Sequence, residues 1–376
     1  MAIYLDCNAT TPVEPAVLET VMRYMAEEFG NSGSRTHEFG LRAKKAVEKA
    51  RGQVAKVVKA DKDEVLFTSG ATESNNLAIL GLAEYGTESG KRHIISTAIE
   101  HKAVLEPLEI LSRRGFDVTL IPPDGSGRIS ADAVLRALRD DTLLVSVMQV
   151  NNETGVVQPV LEIADGLADH PAFFHVDAAQ GFGKEMASLR HPRMEMISVS
   201  GHKVYAPKGV GALVVRRRGF KKIPLQPLMF GGGQEKGLRP GTLPVALIAG
   251  LGQASELALQ DFEKRAAACR AYRRMVVEAL EPLGPIINGD PSHTLPHVLS
   301  LSFPGIDSEA LMVALKEAVA ISNGSACTSN SYKPSHVLQA MGLQEQRVQG
   351  TVRLSWSHLT SMLDWSEVAG TIGRLI

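Results

Sequence analysis

The run "LLVSVMQV", residues 143–150, is apolar at six of eight positions, broken only by Ser146 and Gln149. A strand with one wet face alternates apolar and polar side chains, so a run this continuous needs cover on both faces. Six more runs read the same way: "EVLFTS" (64–69), "RHIISTA" (92–98), "DVTLIP" (117–122), "AFFHVDA" (172–178), "MEMISVS" (194–200) and "GALVVRR" (211–217). Between them lie amphipathic stretches such as 102–114. Strands alternating with helices predict an α/β chain built on a mainly parallel sheet.

A glycine-dense segment, "FGGGQEKGLRPGT" (230–242), precedes residues 244–280, which read as one long helix or two joined end to end, a connector between domains. Beyond it, "HVLSLSF", "EALMVALKEAV", "PSHVLQAMGL" and "TVRLSWS" predict a smaller mixture of strand and helix. At 376 residues, the chain suits about two domains.

Hydrophobic residues make up 44% and charged residues 22%, values of an ordinary globular protein. Forty basic and 41 acidic residues leave a formal charge of −1, so no overall field attracts nucleic acid or an anionic membrane. The basic "RRRGFKK" (216–222) reads as a solvated strand end. The opening residues show no basic and apolar leader, and no stretch approaches the roughly 20 apolar residues of a membrane span, so a cytoplasmic protein is expected. Cys7, Cys269 and Cys327 are odd in number, far apart and without a C-x-x-C pair, which argues against a disulfide framework or a structural zinc site.

Several strand ends carry reactive side chains. Lys203, in "SVSGHKVYAPKGVG" (198–211), follows a strand's carboxyl end, where open α/β sheets place ligands; desolvated there, it can attack a carbonyl, and otherwise it is a solvated loop lysine. Asp177, in "FFHVDAAQ", suits either a buried partner for a protonated pyridine nitrogen or a helix N-cap. Ser69 to Thr72 open a helix after a strand, which serves a phosphate cradle or an ordinary cap. His101 and Asn152 also follow strands, as stacking and polar contacts or as surface residues. Together these ends offer a phosphate, an aromatic ring and an aldehyde places in one crevice.

With these residues in view, the chain resembles the NifS/IscS-type cysteine desulfurases, class V aminotransferases of the pyridoxal phosphate (PLP) fold type I. The motifs run from "YLDCNATTP" and "FGNSGSRTHEFG" through "FTSGATESNNLAI", "EHKAV", "VNNETGVVQP", "HVDAAQ" and "SGHKVYAPKGVGAL" to "GGGQEKGLRPGTLPV" and "SNGSACTS". The resemblance implies a large PLP-binding domain over 12–255 and a small domain from 1–11 and 256–376 carrying Cys327. It makes Lys203 the lysine that bonds the cofactor, Asp177 the partner of its ring nitrogen and His101 the stacking acid/base group. Gln180 would meet the ring hydroxyl and Asn152 the ring; Ala71, Thr72, Ser200 and His202 would hold the phosphate, with Thr242 reaching in from the other subunit of a homodimer. Arg353 would grip the substrate carboxylate, with Asn152 beside it.

Cys327, among small polar residues, would take sulfur from L-cysteine as a persulfide, release alanine and pass the sulfur to an acceptor serving iron–sulfur assembly, tRNA thiolation or DNA phosphorothioation. No resident metal is implied, although Cys327 can transiently ligate an iron–sulfur cluster. Departures from the family pattern stand at Pro240, at Ala179 and in "SWSHLT" after Arg353, which leaves the sulfur's destination open. A class V relative acting on another amino acid, or a silent scaffold, would share the cofactor-site residues but have no use for Cys327.

Overall fold

The structure is a computed structural model and describes residues 2–323 and 334–376. All seven sequence runs are strands of one sheet: β2 (Val65–Thr68), β3 (His93–Thr97), β4 (Asp117–Ile121), β5 (Thr142–Met148), β6 (Phe173–Asp177), β7 (Met196–Ser200) and β8 (Gly211–Val215), in the order β2-β8-β7-β6-β5-β3-β4. A short β1 (Ile3–Tyr4) precedes them. From β4 across to β7 every neighbour is parallel. β8 instead runs antiparallel to both β7 and β2. Only residues 201–210 join β7 to β8, fewer than the dozen or more a parallel crossover needs.

Both faces of the sheet are covered, as the unbroken apolar runs require. Ile94, Leu144 and Leu213 pack on one side with Leu77 and Leu108, while their neighbours Ile95, Val145 and Val214 pack on the other with Val47 and Val54. β3 and β5 lie side by side, yet the chain leaves them in opposite directions, toward β4 and toward β6. Such a switch point opens a crevice at the strands' carboxyl ends.

The connector is two helices, Val245–Gln260 and Phe262–Leu280, broken at Asp261. The first buries Ile248 and Leu251 in the main core, while the second places Cys269, Tyr272, Val276 and Leu280 in a separate core. That second core holds Trp356, Trp365 and, from the other end of the chain, Leu5. Around it run β9 (Ile286–Ile287), β10 (Val298–Ser302) and β12 (Thr351–Ser355) in one antiparallel sheet, while β11 (Val319–Ala320) pairs in parallel with β1. Among the described residues no helix is long and apolar enough to cross a membrane.

The basic run at 216–222 is solvated over most of its length, at Arg217 and from Gly219 to Lys222, but its first residue turns inward. Arg216 is only 5% exposed, and its guanidinium donates to the carbonyls of Val58, His191, Leu189 and Met194. Arg218 turns to Glu195 at 2.7 Å. Carbonyls from the end of the helix Glu38–Val58 and from the stretch 189–194 converge into a socket for a planar donor, and that is what draws Arg216 inward.

A second buried arginine ties down the glycine-dense segment. Arg51 meets Glu235 through two hydrogen bonds, of 2.7 and 2.9 Å, while the Phe67 amide donates to the same carboxylate at 2.7 Å. Glu235→Ala would leave Arg51 buried with only the more exposed Glu48, at 3.3 Å, as counter-charge, so urea unfolding should show a loss of about 3–5 kcal/mol, and a loss under about 1 kcal/mol would contradict this account.

Candidate active site

The crevice at the strand ends is a cavity of about 510 Å³. Its walls include Ala71, Thr72, His101, Asn152, Asp177, Gln180, Ser200, His202, Lys203 and Arg353, so one space gathers nearly all the residues singled out from the sequence. Thr242 stands apart, exposed just before the connector helices. Cys327 lies outside the described residues.

Asp177 ends β6 and is 5% exposed. Its Oδ2 accepts from Asn75 Nδ2 at 2.7 Å and its Oδ1 from the Ala179 amide at 2.9 Å. Asn75 sits on the helix Ala71–Leu80, whose N-terminus points into the cavity without a side-chain cap. An uncapped helix start presents free N–H groups and partial positive charge to an anion. Gly70 makes the entry possible: its φ is +157°, and a Cβ placed on its partner Gly211 would fall 2.6 Å from the Gly70 Cα. Gly211 must lack a Cβ for the chains to pass this close, while Gly70 supplies the backbone conformation.

Lys203 lies in the turn after β7, and its Nζ donates to the carbonyls of Asn8 and, at 2.8 Å, Ala9. His202 beside it contacts Thr10 Oγ1 at 3.1 Å; burial, with Lys203, Lys208 and Lys184 nearby, pulls its imidazole down to about 4. His101 caps the helix Lys102–Arg113 by accepting the Ala103 amide at Nδ1. Burial lowers its pKa, with Asp177 opposing and Lys203 reinforcing, so the ring stays neutral and carries its proton on Nε2. Arg353, 1% exposed, donates to Asp6 at 2.6 Å and to the Asn152 carbonyl at 2.9 Å, while its Nε has no partner among the described residues.

The residues fit PLP. An uncapped helix start suits its phosphate, an enclosed carboxyl suits its ring nitrogen and a lysine stands beside them for its aldehyde. Two buried oxygens on the cavity wall, Asn75 Oδ1 and Gln180 Oε1, lack partners among the described residues. A polar ligand would give them some.

Reasoning from the sequence missed four contributors. Asn8 and Ala9 supply the carbonyls facing Lys203, and Asn8 also donates to the Asn152 carbonyl at 3.1 Å. Asn75 looked like one more helical residue, although a buried amide one turn from the helix start is a signal. Glu73 accepts from Ser69 N and Arg239 Nε at 2.8 and 2.9 Å; these bonds outweigh burial and hold its carboxyl below the usual range. They bind the glycine-dense loop to the cradle.

The model of the class V aminotransferase family matches residues 3–364. The cysteine desulfurase IscS of Salmonella arizonae is 44% identical over 382 residues, spanning 100% of this chain and 94% of its own. The crystal structure of DndA from Streptomyces lividans is 52% identical with a TM-score of 0.83, covering 93% of this chain and 98% of that one. The structure of SspA in complex with cysteine is 38% identical with a TM-score of 0.84, covering 96% and 100%.

Glu100, immediately before His101, offers a check on the site's electrostatics. Its Oε1 accepts from Thr97 Oγ1 at 2.7 Å and Met148 N at 2.8 Å, while burial pushes its carboxyl up to about 8. The folded protein therefore holds a proton that the unfolded chain releases above pH about 4.5, and stability falls as pH rises toward 8 by about 1.4 kcal/mol per unit. Glu100→Gln removes this dependence. Between pH 5 and 8 the variant should gain on the parent protein in thermal unfolding, and parallel curves would refute the assignment.

Proposed function

The chain belongs to the class V aminotransferase family and is a PLP-dependent cysteine desulfurase, and we propose that Lys203, Asp177, His101, Arg353 and Cys327 carry its chemistry. The supporting observation is the convergence of Lys203, Asp177 and His101 on one cavity at the ends of parallel strands. Bound PLP supplies an aldehyde that condenses with amines and a ring that draws off the electron pair left at Cα. Asp177, held by Asn75 and Ala179, keeps a proton on the ring nitrogen. Ala71, Thr72, Ser200 and His202 hold the phosphate, and Gln180 and Asn152 orient the ring.

Arg353 grips the carboxylate of L-cysteine, using donors now turned to Asp6 and the Asn152 carbonyl. Lys203 takes the proton from Cα, and His101, whose Nδ1 is engaged by the Ala103 amide, exchanges protons beside it through Nε2. The Cys327 thiolate attacks the substrate's sulfur: an S–S bond forms, the C–S bond breaks and its electron pair stays with carbon, which gains a proton as alanine leaves. The sum, L-cysteine plus a thiol giving L-alanine plus a persulfide, needs no outside oxidant.

The active form in this reading is a homodimer in which Thr242 completes the partner's phosphate site. Exposed Leu18, Met22 and Met25 form an apolar stripe along one face of the helix Pro15–Ala26, with Phe29 beyond it, and offer a surface for such pairing. The persulfide then serves an acceptor protein of the kinds used in iron–sulfur assembly, tRNA thiolation or DNA phosphorothioation.

Lys203→Ala should lower alanine formation by about 10²–10⁴-fold. It should also stop borohydride from fixing PLP to the protein, and a covalently labelled variant would refute the assignment. Cys327→Ala should keep its yellow colour and form no persulfide. Undiminished alanine release from that variant would remove the thiol from the mechanism.

A further inference from the structure

A second cavity, of about 450 Å³, is lined in part by Tyr205, two residues beyond Lys203, and shares no lining residue with the first. Its apolar wall comes from Val157, Phe262, Ala266, Leu295 and Pro296. Lys184, Arg265 and Arg270 line it with Glu185, while Arg265 also pairs with Glu14 at 2.6 Å and Arg270 reaches Glu263 at 4.0 Å, both from outside the lining. Burial pushes the Glu185 carboxyl above its ordinary range, which weakens even that counter-charge.

Lys184 is the centre of this imbalance. Its Nζ lies 3.4 Å from His297 Nε2, and burial, together with Lys184 itself, holds that imidazole well below the ordinary range, so it is neutral. Among the described residues, the groups that raise the Lys184 pKa are the Cys7 and Cys269 thiols, each pushed up by burial to about 11 and so uncharged at neutral pH. Lys184 is half-buried, and with no carboxylate paired to it among the described residues its charge stays open to an anion in the cavity. Arg265, 7% exposed, places Nη2 2.6 Å from Glu14, while its Nε and Nη1 are buried without partners among the described residues. Its guanidinium lies 5.3 Å from the centre of the Tyr205 ring, which also lines this cavity.

We propose that this second cavity binds a small carboxylate with an apolar body, its charge met by Lys184, Arg265 and Arg270 and its body by Phe262 and Leu295. The volume falls in the range of small-molecule sites, and an apolar wall with a few converging polar groups is their usual composition. Tyr205 sits two residues beyond Lys203 with φ at +67°, so the occupant would press on the turn that holds the reactive lysine.

The test uses the PLP-loaded enzyme and 4-fluorobenzoate, followed by fluorine NMR and calorimetry. Saturable binding is expected, and 4-fluorobenzyl alcohol should not replace it. Lys184→Met should weaken binding about 10- to 100-fold. Arg270→Glu, at an exposed position where folding is not at risk, should weaken it several-fold. Arg353→Ala should leave it unchanged. Absence of saturable binding up to about 10 mM overturns the proposal. So does binding that survives Lys184→Met but disappears in Arg353→Ala, which would put the anion in the first cavity.

Discussion

A carboxyl group buried at the end of a parallel strand needs donors around it, and Asp177 imposes that need on the site. Asn75 answers it from the helix Ala71–Leu80, which fixes where that helix packs. Once the helix is there, its first turn can only face the cavity, and the chain entering it must pass beside β8. Gly70 and Gly211 allow the passage. A single buried acid thus couples strand polarity, helix placement and anion cradle.

Burial sets the protonation of the surrounding groups in a consistent direction. His101, His175 and His202 are pulled down, while Glu100 and Glu153 are pushed up, so these neighbours tend to neutrality. Charge on the wall is left to Arg353, held by Asp6, to Glu73, held by Arg239, and to Lys203 and Lys208. Neutral neighbours around them weaken screening and strengthen each of these contacts.

Much of this was legible in the sequence because the physics is local. Seven apolar runs gave seven strands, and the residues just after β3, β5, β6 and β7 reached the cavity because a strand end positions whatever follows it. The antiparallel β8 was not legible by periodicity, since its burial matches that of its parallel neighbours; only the length of its connection gave the direction. The inward turn of Arg216 depended on carbonyls from two other segments, Val58 and the stretch 189–194, which composition does not register. Asn8 was hidden for the same reason: its partners Asn152 and Lys203 are 144 and 195 positions away.

The seam between the chain's two ends has a temporal side. Ile3 pairs with Val319, the Cys7 amide donates to the Ser355 carbonyl and Leu5 packs beneath Trp356, so the carbonyls of Asn8 and Ala9 are set in place by the last strand. On a ribosome adding about 5–20 residues per second, the opening segment waits on the order of half a minute for the strand that seats it. The large sheet can condense meanwhile, but the lysine's acceptors are seated only after Ser355 has been added.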